Sequence, residues 1–175
     1  MDELSLTQLK KGTHGITPEY GASLAQAASI CLEEQKHYPG IKLNVDGDFK
    51  KVFLVCWDRT TEQMRRCWAD LEFTTEQGAY GIATLLVTAI TDLTVIERSR
   101  KGTGFDYWLG AKNDPEPLFQ RKSRLEVSGI RKGDMAIIGR RVREKLGQIE
   151  CYQSNLSAFV IVVEFSEPRS RVVER

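Results

Sequence analysis

The chain has 175 residues, which is the size of one domain, and its 41% hydrophobic and 28% charged residues are typical of a soluble globular protein. No hydrophobic run reaches the length that crosses a membrane, and the chain begins with the charged sequence Met1-Asp2-Glu3-Leu4. We therefore expect a cytoplasmic protein without a membrane partner. Its four cysteines have neither C-x-x-C spacing nor a histidine at metal-ligand spacing, which favours reduced thiols over disulfides or zinc.

Positive charge is concentrated in one part of the chain. Residues 98–145 contain 13 Lys and Arg against 6 Asp and Glu, a balance of +7, whereas the whole chain has a net charge of +1. Such a segment is compatible with nucleic acid or another acidic partner, although solvated surface side chains are the commoner cause. Four basic residues of a predicted helix are candidates for binding nucleic acid or a protein partner: Arg140, Arg141, Arg143 and Lys145.

An N-terminal extension of helix, β-hairpin and second helix is predicted over residues 17–73, after a flexible leader at 1–16. The first helix begins at Thr17-Pro18-Glu19, where a hydroxyl cap, a proline at the first helical position and an early acid are typical start signals. Two alternating strands around the turn signal Asp46-Gly47 indicate the hairpin. The second helix begins at Thr60-Thr61-Glu62-Gln63, in which Gln63 can complete a capping box.

The following residues predict the order helix, three strands, helix and strand. The first helix begins at Thr74-Thr75-Glu76-Gln77, and its apolar character predicts burial against a sheet. We therefore predict an α/β (α+β) fold, a single mixed sheet flanked by helices, with an αβββαβ core at 74–167 and a charged, frayed tail at 168–175. The three strands are predicted at 94–98, 105–109 and 124–130, the second helix at 134–148 and the last strand at 158–165.

Two of these strands each carry one acid among apolar neighbours. These acids are Asp106, in Gly104-Phe105-Asp106-Tyr107, and Glu126, in Leu125-Glu126-Val127-Ser128. Because burying a lone carboxylate is costly, each must be paired, metal-bound or exposed. Neighbouring strands lie about 4.8 Å apart, so the two carboxylates can converge on one Mg²⁺ ion. Structural salt bridges to Arg98 or Arg124 are the alternative.

The αβββαβ order, with an acid on the second strand and Glu on the third, resembles the PD-(D/E)XK nuclease-like (restriction-endonuclease-like) superfamily. The resemblance covers roughly the last hundred residues. It implies that Asp106 and Glu126 hold Mg²⁺ or Mn²⁺ in an active protein. It also assigns Glu76 as a metal ligand, because the first core helix of this superfamily often contributes an acid.

One position departs from the superfamily motif, which usually has Lys two residues after the Glu, where this chain has Ser128. A hydroxyl cannot supply the positive charge that positions the attacking water. Three other cations are candidates for this role: Lys122 and Arg124 on the same strand face, and Lys101 in the loop before the second strand.

Two classes of function remain open. The first is metal-dependent hydrolysis of DNA or RNA phosphodiesters, with the basic segment binding the backbone. The second is a catalytically inactive interaction subunit of a larger bacterial-type assembly, in defence or DNA metabolism, that docks through its N-terminal extension. The missing lysine favours the second class, whereas the acids on adjacent strands in a basic setting favour the first. We lean towards a nuclease-like protein whose catalysis is unproven.

Overall fold

The computed structural model describes residues 2–113, 120–152 and 154–175, and within them the chain forms one mixed sheet flanked by helices. This arrangement confirms the predicted fold class. The strands are β1 (Asp2–Ser5), β2 (Ile41–Gly47), β3 (Lys51–Cys56), β4 (Leu93–Arg98), β5 (Tyr107–Ala111), β6 (Ser123–Ile130), β7 (Ser157–Glu164) and β8 (Arg169–Glu174). The helices are α1 (Pro18–Glu34), α2 (Glu62–Cys67), α3 (Leu71–Ile90), α4 (Met135–Glu150) and a 3-10 helix (Leu6–Lys11).

The sheet has the strand order β1-β3-β2-β8-β7-β6-β5-β4. Strands β4, β5 and β6 are successively antiparallel, and β6 is parallel to β7. A parallel pair needs a crossover connection, which α4 provides. The order α3, β4, β5, β6, α4, β7 is therefore the predicted αβββαβ order, and it lies in the same sheet as the strands of the predicted extension.

Side-chain caps explain where the helices begin. Thr17 accepts a hydrogen bond from the Tyr20 amide, as its sequence context predicts. Helix α3 begins at Leu71, earlier than predicted, because Asp70 caps it by accepting from the Phe73 amide. Thr74, the predicted start, instead donates its hydroxyl back to the carbonyl of Asp70 within the helix.

Helix α3 is buried between the sheet and α1. Its glycines allow this close packing, because a Cβ atom on Gly78 would lie 3.1 Å from the Cα of Ala28 in α1. The 3-10 helix packs on the same side, whereas α4 covers the opposite face over β5 to β8. Among the residues described, no helix is both long and apolar enough to cross a membrane.

Both terminal segments differ from the prediction of a flexible leader and a frayed tail. Residues 2–5 form β1, which pairs with β3. Residues 169–174 form β8, which lies inside the sheet between β2 and β7. The charged residues of this segment are compatible with a strand, because Arg171 forms an ion pair with Asp46 at 2.7 Å while Val172 is buried in the core.

The hairpin signal at Asp46-Gly47 also has a different role. Strands β2 and β3 do form an antiparallel hairpin, but Gly47 ends β2 and the turn follows it. Gly47 has φ +100°, and a Cβ atom there would lie 2.2 Å from the carbonyl oxygen of Val172. The glycine is therefore required for the approach of β8, and the Asp48 amide donates to that same carbonyl.

Substitutions in β8 test whether this segment is an interior strand. We expect Val172→Ala to lower the free energy of unfolding by about 1–3 kcal/mol, because it removes buried methyl groups. The matched change Arg169→Ala, at a partly exposed side chain, should stay within about 0.5 kcal/mol. Urea unfolding followed by circular dichroism measures both, and a Val172→Ala effect no larger than that of Arg169→Ala would contradict the placement of β8.

Candidate active site

The candidate site lies where β5 is shorter than its neighbour β6. Asp106 directly precedes β5, in which Tyr107 pairs with Leu125 and Trp108 with Arg124, and its carboxylate lies close enough to Glu126 for its charge to act on that carboxyl. The Asp106 amide donates to the Leu125 carbonyl at 2.9 Å. The next amide of β6, that of Val127, donates to Oδ2 of Asp106 at 2.8 Å. The carboxylate therefore accepts the hydrogen bond that a backbone carbonyl of a longer β5 would accept.

Tyr80 of α3 links Asp106 to the acid on the first core helix. Its hydroxyl oxygen lies 2.9 Å from Oδ1 of Asp106 and 2.8 Å from Oε1 of Glu76, one helical turn away on α3. Burial, together with the charge of Asp106, raises the pKa of Tyr80, so the hydroxyl keeps its proton. Since it has one proton, it donates to one carboxylate at a time, and Glu76 reaches Asp106 only through this hydroxyl.

Glu126 is paired with Lys145 of α4. The ammonium donates to Oε1 of Glu126 at 2.5 Å. The side chain of Glu126 is 6% exposed and that of Lys145 is 21% exposed. Burial raises the pKa of Glu126 to about 8, and the neighbouring charge of Asp106 adds to this effect while Lys145 opposes it. The carboxyl can therefore gain or lose its proton close to neutral pH.

A second cation from α4 contacts Ser128, the residue two positions after Glu126. Arg141, one turn before Lys145, donates from Nη1 to the Ser128 hydroxyl at 2.8 Å. The strand residue that replaces the usual lysine therefore contacts a guanidinium, while the ammonium of Lys145 contacts the acid itself. The sequence pattern places Lys145 and Arg141 among the candidates for binding nucleic acid or a protein partner. The signal that could have separated them is their i, i+4 spacing on one side of the crossover helix.

The other basic candidates lie in different places. The buried Arg124 guanidinium donates to the carbonyls of Ile149, Tyr152 and Leu156, so it holds the end of α4 and does not face the acids. Lys122 is exposed and precedes β6, away from the acids.

Of the remaining candidates, only Lys101 lines the site, at the rim of its smaller cavity. Arg140 pairs with Glu144 at 3.7 Å, and Arg143 is exposed on α4. The alternative salt bridge of an acid to Arg98 is replaced by other contacts, since Arg98 lies over the Tyr80 and Tyr107 rings and donates to the Tyr107 hydroxyl.

Two adjoining cavities open at the acids. The larger, of about 610 Å³, is lined by residues that include Arg131, Lys132, Arg141 and Lys145. The smaller, of about 380 Å³, is lined by residues that include Arg98, Arg100, Lys101 and Glu126. Glu76, Tyr80 and Asp106 line both cavities, so the two cavities adjoin at these residues, with Glu126 in the smaller and Lys145 in the larger.

The carboxylates determine which metal the site could hold. Within the described ranges, no group of three or more His, Cys, Asp and Glu side chains has an arrangement suited to a metal ion. The reason is local, because the Tyr80 hydroxyl stands between Glu76 and Asp106. Asp106 and Glu126 remain as two neighbouring oxygen donors. This donor set fits Mg²⁺ or Mn²⁺, since Mg²⁺ is usually bound through one or two carboxylates and keeps several water ligands.

Comparison of the chain with family models, with curated proteins and with solved structures finds no match.

The raised pKa of Glu126 predicts a specific pH dependence of stability. The ordinary pKa is 4.5 and the folded value is about 8, so the folded state binds the extra proton between these values and stability falls as pH rises through them. Glu126→Gln should remove this contribution, so that its stability relative to wild type is higher at pH 8.5 than at pH 4.5. Urea unfolding across this range is the measurement, with the exposed Glu150→Gln as control. A pH-independent difference between Glu126→Gln and wild type would refute the assignment.

Proposed function

We propose that the protein is a metal-dependent nuclease of the PD-(D/E)XK type, in which Asp106, Glu126 and Lys145 form the reactive set. The observation that carries this proposal is the recessed Glu126–Lys145 ion pair beside Asp106, at the bottom of an open depression. Two carboxylates and one ammonium are the chemical groups that the superfamily motif brings together. Here the ammonium comes from α4 rather than from the strand that carries the glutamate.

Each member of the set has a separate task in phosphodiester hydrolysis. A bound Mg²⁺ or Mn²⁺ supplies Lewis-acid stabilisation of phosphate charge and lowers the pKa of its bound water. Asp106 and Glu126 would hold the ion through their carboxylate oxygens. The ammonium of Lys145, which lies 2.5 Å from Glu126, would orient the attacking water and offset negative charge on the phosphate.

Two further contacts keep Asp106 in place. The Val127 amide holds Oδ2, and the Tyr80 hydroxyl holds Oδ1. A carboxylate fixed at both oxygens loses little side-chain freedom when it binds an ion, which favours binding. Tyr80 is therefore a positioning residue for Asp106.

The relocated ammonium favours an enzyme over the catalytically inactive interaction subunit. That alternative rested on the absence of a lysine after Glu126, and Lys145 supplies a cation at the acid itself. The proposal makes nucleic acid the partner of the basic segment. It also assigns the protein to the cytoplasm, where its four free cysteines would stay reduced.

Metal binding is the first test. We expect Mn²⁺ to bind the wild-type protein in a calorimetric titration, because two adjacent carboxylates offer oxygen ligands. The double variant Asp106→Asn/Glu126→Gln should show no binding heat. Wild type and double variant giving the same titration curve would remove Asp106 and Glu126 as ligands.

Cleavage is the second test, with a labelled oligonucleotide and Mn²⁺. Glu126→Gln and Lys145→Met should each lower the rate at least about 100-fold, while Lys145→Arg restores part of it because the charge returns. Lys42→Met, at an exposed site on β2, is the matched control and should cleave normally. Thermal melting of each variant separates loss of activity from loss of fold.

Two results would count against this assignment. Full activity in Lys145→Met would exclude its catalytic role. A wild-type protein that neither binds Mn²⁺ nor cleaves, but co-purifies with a protein partner, would support the interaction subunit instead.

A further inference from the structure

One face of α4 lines the whole length of the depression. Ile137, Arg141 and Lys145 line the larger cavity, and Gln148 lines the smaller one. These residues follow i, i+4, i+8 and i+11 spacing, so the depression runs along α4 for about 16 Å at 1.5 Å per residue. We call this depression, from Ile137 to Gln148 along α4, the α4 trough.

Cations lie in the trough on both sides of the reactive set. At one end are Arg98, the last residue of β4, and Arg100 and Lys101 of the loop that follows it. At the other end Arg131 and Lys132 follow β6. The acids Glu72 and Glu76 line the α3 side, so the positive charge is concentrated on the α4 side and at the two ends. A polyanion that crosses the trough would meet cations before and after the reactive set.

The depth of the Glu126–Lys145 pair favours a single strand over a duplex. The side chains of Glu126 and Lys145 are only 6% and 21% exposed. A phosphate must therefore descend into the trough to reach them. A flexible single strand can do this, whereas a rigid duplex would have to deform, at a cost in free energy.

We propose that the α4 trough binds single-stranded nucleic acid as an extended strand that crosses the Glu126–Lys145 pair. This inference rests on the proposed function and narrows its substrate. In this orientation the phosphates lie on the α4 side and the bases lie towards α3, where the exposed Leu71 offers apolar surface. At the stacked spacing of about 3.4 Å per nucleotide the trough would span roughly five nucleotides, and a more extended strand places fewer nucleotides in it.

Binding without metal tests the trough independently of catalysis. Fluorescence anisotropy in EDTA would compare a labelled 12-nucleotide single strand, as DNA and as RNA, with the blunt DNA duplex of the same sequence. We expect the preferred single strand to bind at least about tenfold more tightly than the duplex. Equal or tighter binding of the duplex would overturn the proposal.

Charge reversal at each end tests whether the strand crosses the reactive set. Arg100→Glu and Lys132→Glu change exposed side chains at opposite ends and should each weaken single-strand binding about tenfold, with a shallower dependence on salt. Lys50→Glu, on the turn between β2 and β3, is the control and should bind as wild type does. An effect from only one end would overturn the crossing path.

Hydrolysis of bis(4-nitrophenyl) phosphate with Mn²⁺ separates the two proposals, because this small diester needs the reactive set but not the trough. If the diester is hydrolysed while duplex binds as well as single strand, the trough proposal falls and the nuclease proposal stands. If single strand is preferred but neither it nor the diester is cleaved, hydrolysis falls and the trough remains as a binding surface.

Discussion

The structure of the site depends on one recessed ion pair, between Glu126 of β6 and Lys145 of α4. Removing a carboxylate and an ammonium from water is costly, and their attraction offsets that cost only when the contact is close. Each partner belongs to a different layer, so the pair fixes α4 against the sheet at the point where chemistry is proposed. Burial and the neighbouring charge of Asp106 both disfavour the ionised form of Glu126. A bound cation would favour that form.

Asp106 lies close to Glu126 because the sheet is incomplete at this point. Strand β5 starts only at Tyr107, so the Val127 amide of β6 has no strand partner and takes the Asp106 carboxylate instead. A longer β5 would fill the gap with backbone and remove the depression. The same shortness lets Tyr80 of α3 reach Asp106, so that groups from the α3 and α4 layers meet at one edge. An interrupted ladder thus brings the acids together and gives them access to solvent.

The order of the elements could be predicted from the sequence because it follows from local patterns. Helix caps such as Thr17 and the apolar run of β7 act over a few residues, and those were interpreted correctly. Lys145 was assigned to partner binding because helical periodicity defines faces but not which face meets β6. Strand β8 was missed because its arginines resemble a solvated tail, and only the distant Asp46 makes Arg171 compatible with a sheet. The incorrect predictions therefore concern residues whose structural role depends on a partner far along the chain.

The position of β8 has a consequence for how the molecule is made. Strands β1, β3 and β2 can associate with one another early, and β4 to β7 can form a second group, but β8 alone joins the two. During translation the two groups cannot be hydrogen-bonded into one sheet until residues 169–174 have emerged from the ribosome. Each then exposes an open strand edge, the kind of surface that recruits chaperones or aggregates when synthesis stalls. Messenger truncated shortly before this point would therefore yield a product with the reactive residues present but the sheet unjoined.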